Sequence, residues 1–171
     1  NLDNIVPQLY EEGILPIIIV LDGITDVRNF GAIARTAECI GANAIVIPER
    51  GSVTVNADAI KTSAGALHHL PVCRHRNIPS ALRLLKDNGY QIVAASEKAS
   101  ISYTQADLTT PVALVMGAED TGISPEALRL CDTIVSLPMF GNISSLNVSV
   151  AAGVMMYEIV RQRLNSDMQV E

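Results

Sequence analysis

The chain has 171 residues, 49% of them hydrophobic, three cysteines and a formal net charge of −6. That balance fits one soluble domain with a sizeable core and no membrane span: the longest apolar run, "ILPIIIVL", is strand-sized and broken by Pro16. It disfavours a plain electrostatic nucleic-acid binder, because phosphate contacts need clustered Lys and Arg, so any RNA role must rest on a local patch, a dimer surface or a further domain.

In chain order, the start at Asn1 is expected to reflect a trimmed N-terminus rather than an export signal. Residues 1–13 read as a helical remnant or linker. Strands are expected at "LPIIIVLD", "ANAIVIP", "LPVCRH", "YQIVAAS", "PVALVMG" and "TIVSLPM". Several are apolar throughout, which suits strands covered on both faces. Between them "FGAIARTAECIG", "NADAIKTSAGALHH", "IPSALRLLKDNG" and "SPEALRLC" carry helical spacing. Gly41 and Gly89 read as helix stops, and Ser124 before Pro125 and Glu126 as a cap. A last helix follows "FGNISSLNVSVAAG", with Leu146, Val150, Val154 and Tyr157 as its apolar stripe and Ser149, Ala152 and Gly153 as a close-packing small face. The tail after Arg163 is expected to fray. Strand alternating with helix implies an α/β domain on a mostly parallel sheet flanked by helices, spanning residues 14–164, with 165–171 as tail. Cys39, Cys73 and Cys131, odd in number and in apolar contexts, read as buried thiols of a reducing cytoplasm.

Four stretches could carry chemistry. "VMGAEDTGIS" approaches a phosphate loop, but Ile123 stands where the lysine must be, and Glu119 and Asp120 would repel phosphate. Its Gly117 and Gly122 suit close backbone approach to a neutral purine or ribose, or an ordinary turn. In "DVRNFGAIARTAE", Ile33, Ala37 and Ile40 share a face, so Arg35 points the other way, to solvent, to a site or to Glu38. Arg28 and Asn29 stand where the chain leaves the first strand, the end of a parallel sheet that binds ligands. His68, His69, Cys73 and His75 match no closed zinc set and read as a helix end and a half-buried strand. In the last stretch Ser144, Ser145 and Asn147 sit where free helix N–H groups need acceptors or a ligand.

"RNFGAIARTA", "LVMGAEDTGIS" and "LPMFGNISSLNVSVAAG" resemble, in order, the three motifs of the SpoU (TrmH-like) RNA ribose 2'-O-methyltransferases of the SPOUT class. The likeness runs from about Leu15 to Arg163, and "SAGALHHLPV" resembles the branch that modifies a guanosine of 23S rRNA. The resemblance implies a C-terminal deep trefoil knot, an exception to the rule against knotted chains. It implies S-adenosylmethionine (AdoMet) bound in the knot, with Gly117, Leu137 and Leu146 at the cofactor and Ile123 and Met139 as walls. It gives Asn29, Arg35, Glu119, Ser145 and Asn147 to catalysis or to placing the ribose, with no metal. It further implies RNA as partner, rRNA before tRNA, a cytoplasmic homodimer whose sites are completed at the interface, and an N-terminal RNA-binding domain outside this chain. Val27 departs from the proline many relatives carry there. A non-catalytic ribosome-assembly factor and a flavodoxin-like small-molecule binder are the rival classes.

Overall fold

The structure is a computed structural model that describes the backbone of residues 1–53 and 55–170, and the side chains of those residues as far as 166. β1 (Ile17–Asp22) dictates the architecture: Ile17, Ile19 and Leu21 join one cluster of buried side chains, Ile18 and Val20 the other. Alternate side chains leave opposite faces, so a strand that is apolar throughout has to be covered twice. One cover is built by α2 (Val27–Cys39), α3 (Ala57–Thr62) and α6 (Val148–Val170). The other is built by α1 (Leu2–Glu11), α4 (Ile78–Asp87) and α5 (Pro125–Leu130).

The remaining strands are β2 (Ala44–Pro48), β3 (Val72–His75), β4 (Gln91–Ala95), β5 (Ile101–Ser102), β6 (Val112–Gly117) and β7 (Thr133–Ser136). Among the described residues they form one sheet in the order β3-β2-β1-β6-β4-β7-β5, and every pairing is parallel. All strand exits therefore lie at one end, where sheets of this kind bind ligands. The six expected strands are present. β5 was not foreseen, since two residues are too short to show a period.

Several expectations need correction. Of the two alternatives for residues 1–13, helical remnant or linker, the described backbone is helical: Asn1 caps α1, and Leu2, Val6 and Leu9 bury one helical face against the core. The helix expected over 56–69 breaks after Thr62, because Ala64 (φ 55°) and Gly65 (φ 83°) turn left-handed; a 3₁₀ turn, Ala66–His68, follows. Gly41 and Gly89 do take the positive φ of helix stops. Cys73 is buried, but Cys131 is only half-buried and Cys39 is exposed, on the side of α2 turned from the sheet.

α6 buries Val148, Ala152, Met155, Met156 and Ile159, whereas Val150 (51% exposed) and Tyr157 (54%) of the expected stripe face outward. Of the expected small face, Ala152 is buried, but a Cβ at Gly153 would meet Thr36 of α2 only at 4.0 Å, an ordinary contact that does not require glycine. The helix also continues past Arg163 to Val170, and Glu171 lies outside the described residues. Arg163 ties the helix to the sheet ahead of that stretch. Its guanidinium donates to the carbonyls of Leu15 (2.9 Å), Pro16 (3.0 Å) and Thr110 (2.9 Å), joining α6 to the entries of β1 and β6. Gln162 adds Ala106 O (2.9 Å) and the N–H of Leu108 (2.8 Å).

Candidate active site

β1 and β6 end side by side, with Asp22 in register with Gly117. Asp22 is occupied structurally, its Oδ2 accepting from the N–H of Ser124 at 2.8 Å and so fixing the start of α5. Gly117 has no room for a side chain, since a Cβ would stand 2.5 Å from the carbonyl carbon of Gly122 and from the amide nitrogen of Ile123. The chain folds back here on its own strand: Gly122, at φ 68°, donates to Ala118 O at 2.7 Å. Only glycine permits both the close approach and the left-handed turn.

That fold-back carries Glu119 to the start of α6. Its Oε1 accepts from Nδ2 of Asn147 (2.7 Å) and from the N–H of Val148 (2.9 Å). The same Nδ2 donates to Oδ1 of Asn29, 3.1 Å away in the first turn of α2. Asn29 is placed by Asp26, the α2 N-cap, whose Oδ1 accepts from the N–H groups of Arg28 (2.8 Å) and Asn29 (3.0 Å). Asn147 has little freedom. Its Oδ1 caps α6, accepting from the N–H groups of Ser149 (2.9 Å) and Val150 (3.3 Å) and from the Ser149 hydroxyl. An amide whose oxygen caps a helix must turn its NH2 toward other acceptors, here Glu119 and Asn29. The positive end of α6 also favours the Glu119 carboxylate. Three segments separated by 118 and 28 residues are thereby joined through one side chain.

Beside this cluster opens a cleft of about 380 Å³. Gly117, Ile123, Leu137, Met139 and Leu146, all expected at a cofactor, line it, as do Glu119 and Ser145. Asn29 and Asn147 adjoin it through Glu119. No hydrogen bond of Ser145 is found among the described residues. Arg35 stands apart: it is exposed and makes no ion pair there, with Glu38 or any other acid. At 100° per residue it lies about 240° around α2 from Asn29, on the outer face. Sequence reasoning missed Ser96 and Glu97, which line the cleft just beyond β4; the exit of every parallel strand was the signal that could have found them. His68 and His69 are exposed, Cys73 is buried and His75 Nε2 lies 3.2 Å from the Ser80 hydroxyl. Among the described residues no three His, Cys, Asp or Glu converge as metal ligands.

A putative TrmH family tRNA/rRNA methyltransferase of Staphylococcus saprophyticus is 39% identical over 163 residues, covering 95% of this chain and 66% of its own length. A 23S rRNA (guanosine-2'-O-)-methyltransferase of Yersinia pestis is 41% identical over 161 residues, covering 94% of this chain and 65% of its own. The chain thus spans just under two thirds of the length of these relatives. The crystal structure of the SpoU methyltransferase AviRb from Streptomyces viridochromogenes, in complex with AdoMet, matches with a TM-score of 0.82 at 29% identity, over 88% of this chain and 62% of that one. Residues 16–157 match the SpoU rRNA Methylase family, a span that holds every residue of the cluster and cleft described above. The chain belongs to the SpoU rRNA methylase family.

Proposed function

We propose that this chain is the catalytic domain of an AdoMet-dependent RNA ribose 2'-O-methyltransferase that modifies a guanosine of 23S-type rRNA. The observation that carries the proposal is the convergence of Asn29, Glu119 and Asn147 beside a cleft floored by Gly117. The cleft suits a bent adenosine. Residues 137–147 form no helix or strand and carry no charge, so they offer backbone groups and the apolar walls Leu137, Met139 and Leu146 to a flat base. When bound, AdoMet supplies a methyl group on a sulfonium, a carbon already activated for in-line displacement.

The protein then has chiefly to align an acceptor hydroxyl and raise its nucleophilicity. Glu119 Oε1 is held by Asn147 and Val148, so its carboxylate presents a fixed acceptor to a ribose hydroxyl at the cleft. Asn29 and Asn147 are the positioning residues of that carboxylate, and Ser145 adds a hydroxyl from the cleft's own wall. Arg35 is too basic to serve as an ordinary proton acceptor. Its role is to hold phosphate or ribose and to stabilise the developing alkoxide.

Among the described residues Arg35 does not line the cleft, and we assign it to a site completed by a second copy. What supports a homodimer is the apolar surface of Phe140 (95% exposed), Ile143 (79%), Val150 and Tyr157 around the start of α6, a face a second copy would cover. The trefoil knot is part of the same reading: the chain leaves β7 beyond β4, runs along the cleft through 137–147, and returns as α6 against α2 and β6. No helix among the described residues is long and apolar enough to cross a membrane, and the cytoplasm is the proposed compartment. An RNA-binding domain outside this chain completes the proposal, in keeping with the longer relatives.

The second reading, the same chemistry on tRNA, is favoured by the relative whose name covers both RNAs. Incubation with labelled AdoMet and separate rRNA and tRNA pools decides between them. Label in the rRNA, mapping to a ribose 2'-oxygen of guanosine, is the expected result. AdoMet should raise the melting temperature in the same preparation; that rise with label in neither pool would leave a cofactor-binding assembly factor and end the catalytic reading.

A further inference from the structure

The chain is acidic, but its charge is unevenly placed. Residues 49–76 hold four Lys or Arg, two Asp or Glu and all three histidines, a formal +2 within a chain of −6. This segment runs from the exit of β2 to the exit of β3. Pro48 is in register with His75, so Arg50 and Arg76 leave the sheet at one level. β1 continues the row, with Val20 opposite Val46, and Arg28 stands in the first turn of the helix that follows it. Strand exits β3, β2 and β1, taken in spatial order, thus each carry an arginine, and the next exit, β6, carries Glu119 at the cleft. On the far side of β6 the pattern stops. β4 is followed by Glu97 and Lys98, and the segment after β7 has no charge.

All three arginines are exposed, and none forms an ion pair among the described residues. Arg76 reaches only the Ser80 hydroxyl, at 3.5 Å. The nearby acids Asp22 and Asp26 are taken up by backbone N–H groups of Ser124, Arg28 and Asn29. Glu49, beside Arg50 in sequence, makes no ion pair with it. Asp3 and Glu49 line a shallow cavity together with Arg76 but form no ion pair with it, and guanidinium groups without a direct carboxylate partner match a ligand that brings its own negative charges at regular intervals.

We propose that the RNA strand entering the cleft runs across the exits of β1, β2 and β3 as a single strand, with its phosphates on Arg28, Arg50 and Arg76. The proposal rests on the RNA methyltransferase reading. Three inter-strand steps of ~4.8 Å set the row at about 14 Å from the β6 exit to that of β3, a distance a single strand covers in a few nucleotides. The row is one arginine deep, which suits one backbone rather than the two of a duplex. The contacted nucleotides are therefore those just to one side of the modified one.

The test measures binding of the protein to a mixed-sequence single-stranded RNA of about 20 nucleotides, and to its duplex, over a range of salt. The variant is Arg50→Glu with Arg76→Glu; the control is Lys98→Glu with Arg129→Glu, an equal change of charge on the other side of β6. The double variant should bind the single strand at least about tenfold more weakly, with its log–log salt slope lower by about 1.4, while the control keeps the wild-type slope. Equal losses in variant and control, loss on duplex alone, or no binding of single strand by wild type at low salt would each overturn the track. The AdoMet-induced rise in melting temperature, read on the same samples, separates this failure from that of the enzyme reading. A rise that survives in the variant leaves the cleft intact, and a rise absent from wild type leaves the arginine row to be judged by RNA binding alone.

Discussion

α6 is anchored at both ends, and the two anchors differ in kind. At the strand entries Arg163 and Gln162 lie half-buried: Arg163 spends its donors on main-chain oxygens of Leu15, Pro16 and Thr110, and Gln162 divides its own between Ala106 O and the Glu158 carboxylate. Burial holds the Arg163 guanidinium below its ordinary pKa, the direction desolvation gives a cation. At the strand exits Glu119 and Asn147 are exposed, and each makes its described bonds from one edge of the cleft. A polar group whose partners are all backbone can only hold position. One that keeps an open side can also meet a substrate, so the entries serve stability and the exits keep the freedom that the proposed chemistry requires.

The comparison breaks if the exit residues turn out to be structural. Arg35→Ala should lower methyl transfer by about a thousandfold or more, as loss of a group meeting developing charge does, while the AdoMet-induced rise in melting temperature stays near wild type. Turnover at the wild-type rate would remove Arg35 from the mechanism. Glu119→Ala should cost about 10²–10³ in rate and also loosen the start of α6, because Val148 N–H loses its acceptor. An unchanged rate with a lowered melting temperature would move Glu119 to the stability side.

A smaller effect is expected from Gly117→Ala. The new methyl would meet backbone atoms of Gly122 and Ile123 at 2.5 Å, and backbone cannot swing aside as a flexible side chain can. The loop that carries Glu119 must shift, and affinity for AdoMet should fall about tenfold, read by titration calorimetry, a loss of ~1.4 kcal/mol. Unaltered affinity would mean that the fold-back has more play than its contacts allow. At the other end, Arg163→Ala strips charged donors from three carbonyls and should cost about 3 kcal/mol of unfolding free energy in urea. Its folded fraction should methylate at nearly the wild-type rate.

The two ends were also unequally legible in the sequence. The exits announced themselves: an Asn and an Arg after one strand and an uncharged polar run before a helix stand out in the sequence, while the glycines after another strand marked a turn whose close approach and left-handed backbone require them. The entry anchor left no such mark, since Arg163 bonds to carbonyls 147 and 148 residues away, and any residue supplies a carbonyl. The parallel sheet was readable because its strands are apolar on both faces, and β5 was not because two residues have no period. α6 shows a different limit. It carries two apolar stripes with helical spacing, Val148-Ala152-Met155-Ile159 and Val150-Val154-Tyr157, the second preceded by Leu146 outside the helix, and period alone cannot tell which one meets the chain's own core. Cys39 was misjudged for the same reason, an apolar neighbourhood in sequence that the helix turns outward.

The smallest effect concerns pH, and it belongs to the entry end. Glu158 is buried on α6; its Oε1 accepts from Arg161 Nε at 2.6 Å, and its Oε2 from Arg161 Nη2 at 2.9 Å and Gln162 Nε2 at 2.7 Å. Those bonds, Arg161's foremost, hold its carboxyl below the usual range against the opposing effect of burial. The unfolded chain therefore takes up the proton first as pH falls. The contribution of Glu158 to stability is complete above the ordinary glutamate pKa of about 4.3 and is lost as pH drops through the lower folded value. Urea unfolding of wild type and Glu158→Gln should show a gap near neutral pH that narrows below about pH 4. The gap should be modest, because the Arg161 side chain is 53% exposed and its charge is screened by water and salt. A gap that stayed constant down to pH 3 would show that the glutamate acts only as a hydrogen-bond acceptor for Gln162, a part its amide replacement can also play.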